Sequence, residues 1–91
     1  MSTPSSKIEI YTTLFCPFCI RAKQLLDSKG VMYYETDVTT RLSLRKAMTE
    51  RAGGRTSVPQ IFIDGQHIGG CNDLLALKRS GQLDRLLQVA S

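Results

Sequence analysis

Two thiols three residues apart, Cys16 and Cys19 in Cys16-Pro17-Phe18-Cys19, are the groups in this chain best suited to covalent chemistry. They follow an apolar-alternating run, Ile8 to Tyr11, and precede a run of helical period, Ile20 to Lys29, so they fall where a strand hands over to a helix. With Cys16 at the N-cap, Pro17 takes the first helical position, where a missing N–H is harmless and a fixed φ is already helical. The Cys16 sulfur then faces the free amides of Phe18 and Cys19 and the positive end of the helix dipole, both of which favour a thiolate over a thiol. A free cysteine with a pKa near 8.5 is only about 3% ionised at pH 7, so such a setting can raise the reactive fraction many-fold. Cys19 lies one helical turn further in, on the same side and less exposed, placed to attack a mixed disulfide formed on Cys16. Cys16 reads as the nucleophile and Cys19 as the resolving thiol.

Other uses of the pair are weaker. A Cys-x-x-Cys motif is also half of a zinc site, and His67 with Cys71 offers two further ligands. A zinc knuckle, however, turns the chain back just after its second cysteine, whereas Ile20-Arg21-Ala22-Lys23-Gln24-Leu25-Leu26 continues as helix, so no metal is expected. A structural disulfide fits poorly with an odd total of three cysteines. The start, Met1 to Ser6, is polar and has no signal-peptide core, which points to a cytoplasmic protein whose thiols stay reduced unless a bond is catalytic.

The chemistry needs a scaffold, and 91 residues that are 42% hydrophobic and 22% charged suffice for one small domain, residues 1–91, with residues 1–6 expected as a disordered tail. No apolar run is long enough to span a bilayer, so no membrane association is expected. The net charge of +4 invites a nucleic-acid reading. Against it, there is no Lys/Arg run and no recognisable nucleic-acid module, and a modest basic balance suits an anionic small ligand equally well.

Periodicity places the elements in the order β-α-β-α-β-β-α-α. Lys7 to Tyr11 is a strand, Thr12 to Phe15 a loop, and the helix after Cys16 runs to Lys29 with Gly30 as its C′ residue. Val31 to Thr36 is a second strand, parallel to the first through a right-handed crossover. Thr39 or Thr40 is expected to cap a helix from Arg41 to about Ala52, which Gly53-Gly54 ends. From Ser57-Val58-Pro59 the chain enters a hairpin whose two-residue turn is Asp64-Gly65. Pro59 opens this strand, and its peptide bond could be trans or cis, because an X-Pro bond gives up only ~0.5–1 kcal/mol of trans preference. A cis bond would turn the Val58 backbone outward to pair with an extended peptide. Beyond the hairpin, Gly69-Gly70-Cys71-Asn72-Asp73 leads into Leu74 to Leu77. Asn72 or Asp73 is expected to start a helix whose free amides would hold a carboxylate, and Asp73 could bind an amine. Gly81 ends that helix and Leu83 to Val89 forms a last short one.

Taken together, Cys16-Pro17-Phe18-Cys19 after a strand, Ser57-Val58-Pro59 before a hairpin and Gly69-Gly70-Cys71-Asn72-Asp73 before a helix resemble the glutaredoxins, close to the small bacterial glutaredoxin 3 type. The resemblance spans Lys7 to Leu87. It implies an α/β thioredoxin fold with a four-stranded mixed sheet flanked by helices on both faces, a cis Pro59, and a glutathione-dependent thiol-disulfide oxidoreductase. It further implies that Cys16 attacks glutathionylated proteins or small disulfides, and that Cys19 or a second glutathione completes reduction. Glutathione is then the co-substrate, and the implied protein partners are glutathionylated or disulfide-containing proteins, ribonucleotide reductase among them, met by a monomer.

Carried onto this chain, the glutathione site would comprise Thr13, Phe18, Arg45, Val58, Pro59, Gly70, Cys71, Asn72 and Asp73. The Val58 backbone would take the cysteinyl part, and Cys71, Asn72 and Asp73 the γ-glutamyl end. For the glycine carboxylate the sequence does not choose among Arg41, Arg45 and Lys46, and Arg45, the middle one, is carried as the candidate. Three departures stand out. Thr13 occupies the position where the family usually has a lysine, Phe18 replaces the common tyrosine, and Ile20 stands where a basic residue is frequent, with Arg21 and Lys23 close by. Cys71 reads as a packing residue and His67 as part of the fold. The alternative from another class is a dimeric carrier of a glutathione-ligated [2Fe-2S] cluster. Pro17 argues against it, since cluster-binding relatives mostly have a smaller residue there. A thioredoxin-like route through a flavoprotein reductase is opposed by the γ-glutamyl-type segment Cys71 to Asp73.

Overall fold

Alternation of Ile8 and Ile10 with Glu9 and Tyr11 leads to a strand with two different faces, and both are covered in the computed structural model, which describes residues 6–88. The elements are β1 (Ile8–Thr12), α1 (Pro17–Ser28), β2 (Tyr34–Asp37), α2 (Leu42–Arg51), β3 (Gln60–Ile63), β4 (Gln66–Gly69), α3 (Cys71–Ser80) and α4 (Gln82–Leu87). They form a four-stranded sheet of order β2-β1-β3-β4. β1 and β2 are parallel, joined across α1, while β1–β3 and β3–β4 are antiparallel. This mixed sheet is the expected thioredoxin fold.

One face of the sheet supplies Ile8, Ile10, Ile61 and Ile63, all essentially buried, against Ala22, Leu25 and Leu26 of α1, Leu74 of α3 and Leu83 and Leu87 of α4. Each fully buried aliphatic side chain contributes roughly 1.5–3 kcal/mol, so this layer is the main support of α1 and hence of the two thiols. On the opposite face Arg51 of α2 reaches over β1 and β3. It makes paired contacts of 3.1 Å to both carboxylate oxygens of Glu9, donates to Tyr11 Oη at 2.9 Å, and stacks 4.0 Å from the Phe62 ring centroid. A guanidinium does this where an ammonium would not, because its planar fork bonds in pairs while its face stacks on an aromatic.

The structure moves several expected boundaries. β2 begins at Tyr34 and not Val31, because the first ladder partner is Tyr34 opposite Glu9, while Val31 and Tyr33 pack against the core as connecting chain. Neither Thr39 nor Thr40 caps α2: Arg41 is the N-cap residue and makes no side-chain bond. The Thr39 hydroxyl is held by Asp37 and accepts instead from the Leu14 amide at 2.9 Å, tying the loop before Cys16 to the end of β2. The helix expected to start at Asn72 or Asp73 begins at Cys71 with Gly70 as N-cap. Val89, expected in the last helix, lies outside the described residues. So do residues 1–5 of the expected tail, while Ser6 is nearly buried and donates to the Leu86 carbonyl. No helix among the described residues is long and apolar enough to cross a membrane.

Candidate functional site

Cys16 occupies the N-cap of α1 in an extended conformation with Pro17 following it, as the spacing requires. Of the two amides expected to face its sulfur, that of Cys19 donates a hydrogen bond at 3.2 Å. Cys16 is half-buried, whereas Cys19 is 1% exposed, so the two thiols differ in access as the reading of nucleophile and resolver supposes. Burial above all, and then the hydrogen bond with Cys16, push the Cys19 thiol up to about 12, while the Thr13 amide and the nearby Lys23 pull the other way. The outer sulfur is thus the one a substrate can reach. The loop ahead of it holds Phe15 at φ 56, a left-handed conformation rare for an aromatic residue, with the ring 97% exposed.

The Val58 carbonyl oxygen lies 4.0 Å from the Cys16 sulfur, and the Val58–Pro59 bond is cis. The loop carrying Val58 is held from within. Gln60, fully buried, donates to the Ser57 carbonyl at 2.9 Å, and its amide oxygen meets His67 Nε2 at 2.7 Å. His67 packs beside Phe62, and burial lowers its pKa. His67 therefore supports the loop through Gln60. Among the described residues no group of three or more His, Cys, Asp or Glu side chains is arranged to hold a metal.

A cleft of about 210 Å³ opens between this loop and the start of α3, lined by Phe18, Arg55, Ser57, Val58, Pro59, Gly70, Cys71, Asn72 and Asp73. Seven of the residues expected in the site thus meet across about 40 residues of intervening chain. Asp73, at the third position of α3, accepts from the Gly70 amide at 2.8 Å and from Arg55 Nη1 at 3.1 Å, both through Oδ2. That amide, and then Arg55, hold its carboxyl below the usual range. Cys71 is buried, and burial raises its thiol pKa. Arg21 stands 5.9 Å from the Phe18 ring, adding a second cation beside the cleft.

Two expected residues lie outside this lining. Thr13 is on the loop before Cys16, where its backbone pulls the Cys19 thiol pKa down against the rise from burial. Arg45 donates to the Thr56 carbonyl at 3.0 Å, next to the cleft but not in its wall. Arg41 borders a different groove of about 490 Å³ with Leu14, Glu35, Asp37 and Thr39, which contains no thiol. Conversely, Arg55 was not singled out by the sequence, and Ser57 entered only as part of the Ser57-Val58-Pro59 motif and not as a site residue. The available signal was proximity: Ser57 directly precedes Val58-Pro59 and Arg55 lies three residues before Val58. The carboxylate that reading left open for an amine is already shared with Arg55.

The chain matches the glutaredoxin family model over residues 8–68. It is 55% identical over 83 residues to a probable glutaredoxin of Synechocystis, covering 91% of this chain and 94% of that protein. To glutaredoxin 3 of Escherichia coli K12 it is 54% identical over 83 residues, covering 91% and 99%. Its structure superposes on that of a buckwheat glutaredoxin–glutathione complex with a TM-score of 0.84 at 28% identity, covering 91% of this chain and 77% of the other.

Proposed function

Since this chain belongs to the glutaredoxin family and is a thiol-disulfide oxidoreductase, we propose that it uses glutathione, with Cys16 as nucleophile and Cys19 as resolving thiol. The observation that carries the reading is the half-buried Cys16 sulfur, bonded by the Cys19 amide at the end of α1, beside a cleft that ends in the first turn of α3. The buckwheat complex supports the ligand.

In this reading the Cys16 thiolate attacks the glutathione sulfur of a mixed disulfide, and the other partner leaves as a thiolate and takes up a proton. Cys16 is left joined to glutathione. Either a second glutathione thiolate attacks that sulfur of glutathione, releasing glutathione disulfide and restoring Cys16, or Cys19 loses its proton and attacks Cys16, expelling glutathione and closing a Cys16–Cys19 disulfide. Two glutathiones then reopen that bond. Each exchange moves one electron pair and needs no other oxidant. Val58 holds the cysteinyl backbone, the amides at Cys71 and Asn72 take the γ-glutamyl carboxylate, and Asp73 takes its amine. The ring of Phe18 walls the cleft and Arg45 draws the glycine carboxylate. The protein partners are glutathionylated or disulfide-bonded proteins of the cytoplasm, ribonucleotide reductase among them, and the working form is a monomer without metal.

The test is glutathione-coupled reduction of a small glutathione mixed disulfide by wild type, Cys16→Ser and Cys19→Ser. Cys16→Ser should be inactive and Cys19→Ser should retain turnover. A wild-type protein without glutathione-dependent turnover would refute the reading, and visible absorbance after anaerobic purification would favour the cluster carrier.

A further inference from the structure

Lys23 is a lysine that does not hang free in solvent. Its ammonium lies 3.0 Å from Glu35 Oε2, and that same oxygen accepts from the Thr12 hydroxyl at 2.6 Å. Thr12 is buried at the end of β1, so the pair is anchored to the sheet and joins β1, β2 and α1. Lys23 is also four residues after Cys19 on α1, the spacing that places side chains on one helix face with Cβ atoms about 5–6 Å apart. The residue after Thr12 is Thr13, whose backbone favours the Cys19 thiolate. The anchor that fixes Lys23 thus also fixes the strand end that leads into Thr13.

We infer that Lys23 is a positioning residue for the resolving thiol: tethered by Glu35 and Thr12, its ammonium stabilises the Cys19 thiolate as it forms to attack the Cys16–glutathione bond. The inference rests on the glutathione reading above and concerns its second half. In that step Cys19 gives its proton to solvent, its electron pair forms the bond to Cys16 Sγ, and glutathione leaves as a thiolate. A nucleophile that burial keeps protonated is helped by a cation, and Lys23, one turn further along the same helix face and tethered there by Glu35, is placed to supply it. The other ionisable groups facing the pair are Glu35 and Asp37 of β2, Tyr33 just ahead of it, and Cys16. Glu35 foremost raises the Lys23 pKa above its ordinary value, so the ammonium stays charged across pH 5.5–9.5. The cation therefore does not titrate away within the working range.

The experiment mixes reduced protein with glutathione disulfide, quenches with acid at intervals, and follows the Cys16 adduct and its conversion to the intramolecular disulfide by mass spectrometry between pH 5.5 and 9.5. Wild type, Lys23→Met and Lys23→Arg are compared. Each tenfold loss of thiolate is offset by roughly threefold in intrinsic nucleophilicity, so a tenfold loss in Lys23→Met slows conversion about three- to fourfold at pH 7. Its pH–rate profile moves to higher pH, the loss in conversion exceeds any loss in adduct formation, and Lys23→Arg restores most of the wild-type profile. A Lys23→Met profile that overlays wild type, or one in which conversion is slowed no more than adduct formation, overturns the inference while the glutathione reading stands. A wild type that forms no adduct at all overturns both.

Discussion

Gly69→Ala isolates what holds Asp73 in place. Gly69 has φ +120, and a Cβ added there would stand 2.2 Å from Asp73 Oδ2, 2.7 Å from its Cγ and 2.9 Å from Arg55 Nη1. A carboxylate so close must rotate away, and doing so abandons the Gly70 amide at 2.8 Å. Loss of a helix-capping bond costs about 0.5–2 kcal/mol, and a half-exposed carboxylate belongs in the middle of that range. Holding alanine at this φ adds on the order of 1–3 kcal/mol. The sum, about 2–4 kcal/mol, lowers the melting temperature of a domain of this size by roughly 10–25 °C. Gly30→Ala is the comparison, since Gly30 has φ +70 but nothing within 4 Å of the added Cβ. It should show the strain without the collision. The assay is thermal and urea unfolding of Gly69→Ala, Asp73→Ala and the double variant. If the collision is with Asp73, the two changes are non-additive, because removing the carboxylate leaves the new methyl less to strike. Strict additivity, or a Gly69→Ala protein that melts within a few degrees of wild type, would refute the reasoning.

Two further predictions follow from the thiols. Because the folded Cys19 thiol is pushed up to about 12 from an ordinary value of 9.0, its contribution to stability is present in full below pH 9 and is lost as pH rises toward 12; urea unfolding of the reduced protein should show the gap between wild type and Cys19→Ala narrowing across that window, and a constant gap would contradict the assignment. Thr13→Lys places an ammonium three residues before Cys16, where the resemblance to the glutaredoxins leads one to expect a lysine, and should speed iodoacetamide alkylation of Cys16 at pH 6 by about threefold, net of the lower intrinsic nucleophilicity of a more acidic thiol; an unchanged alkylation rate would show that a lysine at this position does nothing here through charge.

How much of this was legible in the sequence depended on how local the deciding interaction is. The N-cap at Cys16 was readable because strand alternation, proline and helical period adjoin within a dozen residues. Thr39 was misread because a hydroxyl two residues before a helix has two competing uses. Capping α2 lost to pinning Leu14, since Asp37 takes both the amide and the hydroxyl of Thr39 and turns it toward the loop. Nothing in the local pattern encodes that Asp37 would face the loop; the β1–β2 register does, with Thr12 opposite Asp37. Arg55 was missed for the same reason. In sequence it is one cation in a polar stretch, and its partner Asp73 lies 18 residues away, beyond a hairpin.

That hairpin explains why the site was partly legible all the same. Asp64 and Gly65 have φ 51 and 79, the two left-handed residues of a type I′ turn, so Ile63 must face Gln66 and the strands return in fixed register. Asp64 is fastened further by its exchange with the backbone of Lys7, 2.7 and 2.8 Å. A register shift between Ile61 and Phe62 then brings Gly69 opposite Ile61. Gly70 is thereby set against the residue just before β3: a Cβ on Gly70 would lie 3.4 Å from the Pro59 carbonyl oxygen. Two motifs separated by ten residues become the two walls of one cleft because a two-residue turn fixes where the chain comes back. A different turn length would preserve every motif of the sequence and still separate Val58 from Asp73. The turn is therefore as much a determinant of the site as the residues that line it.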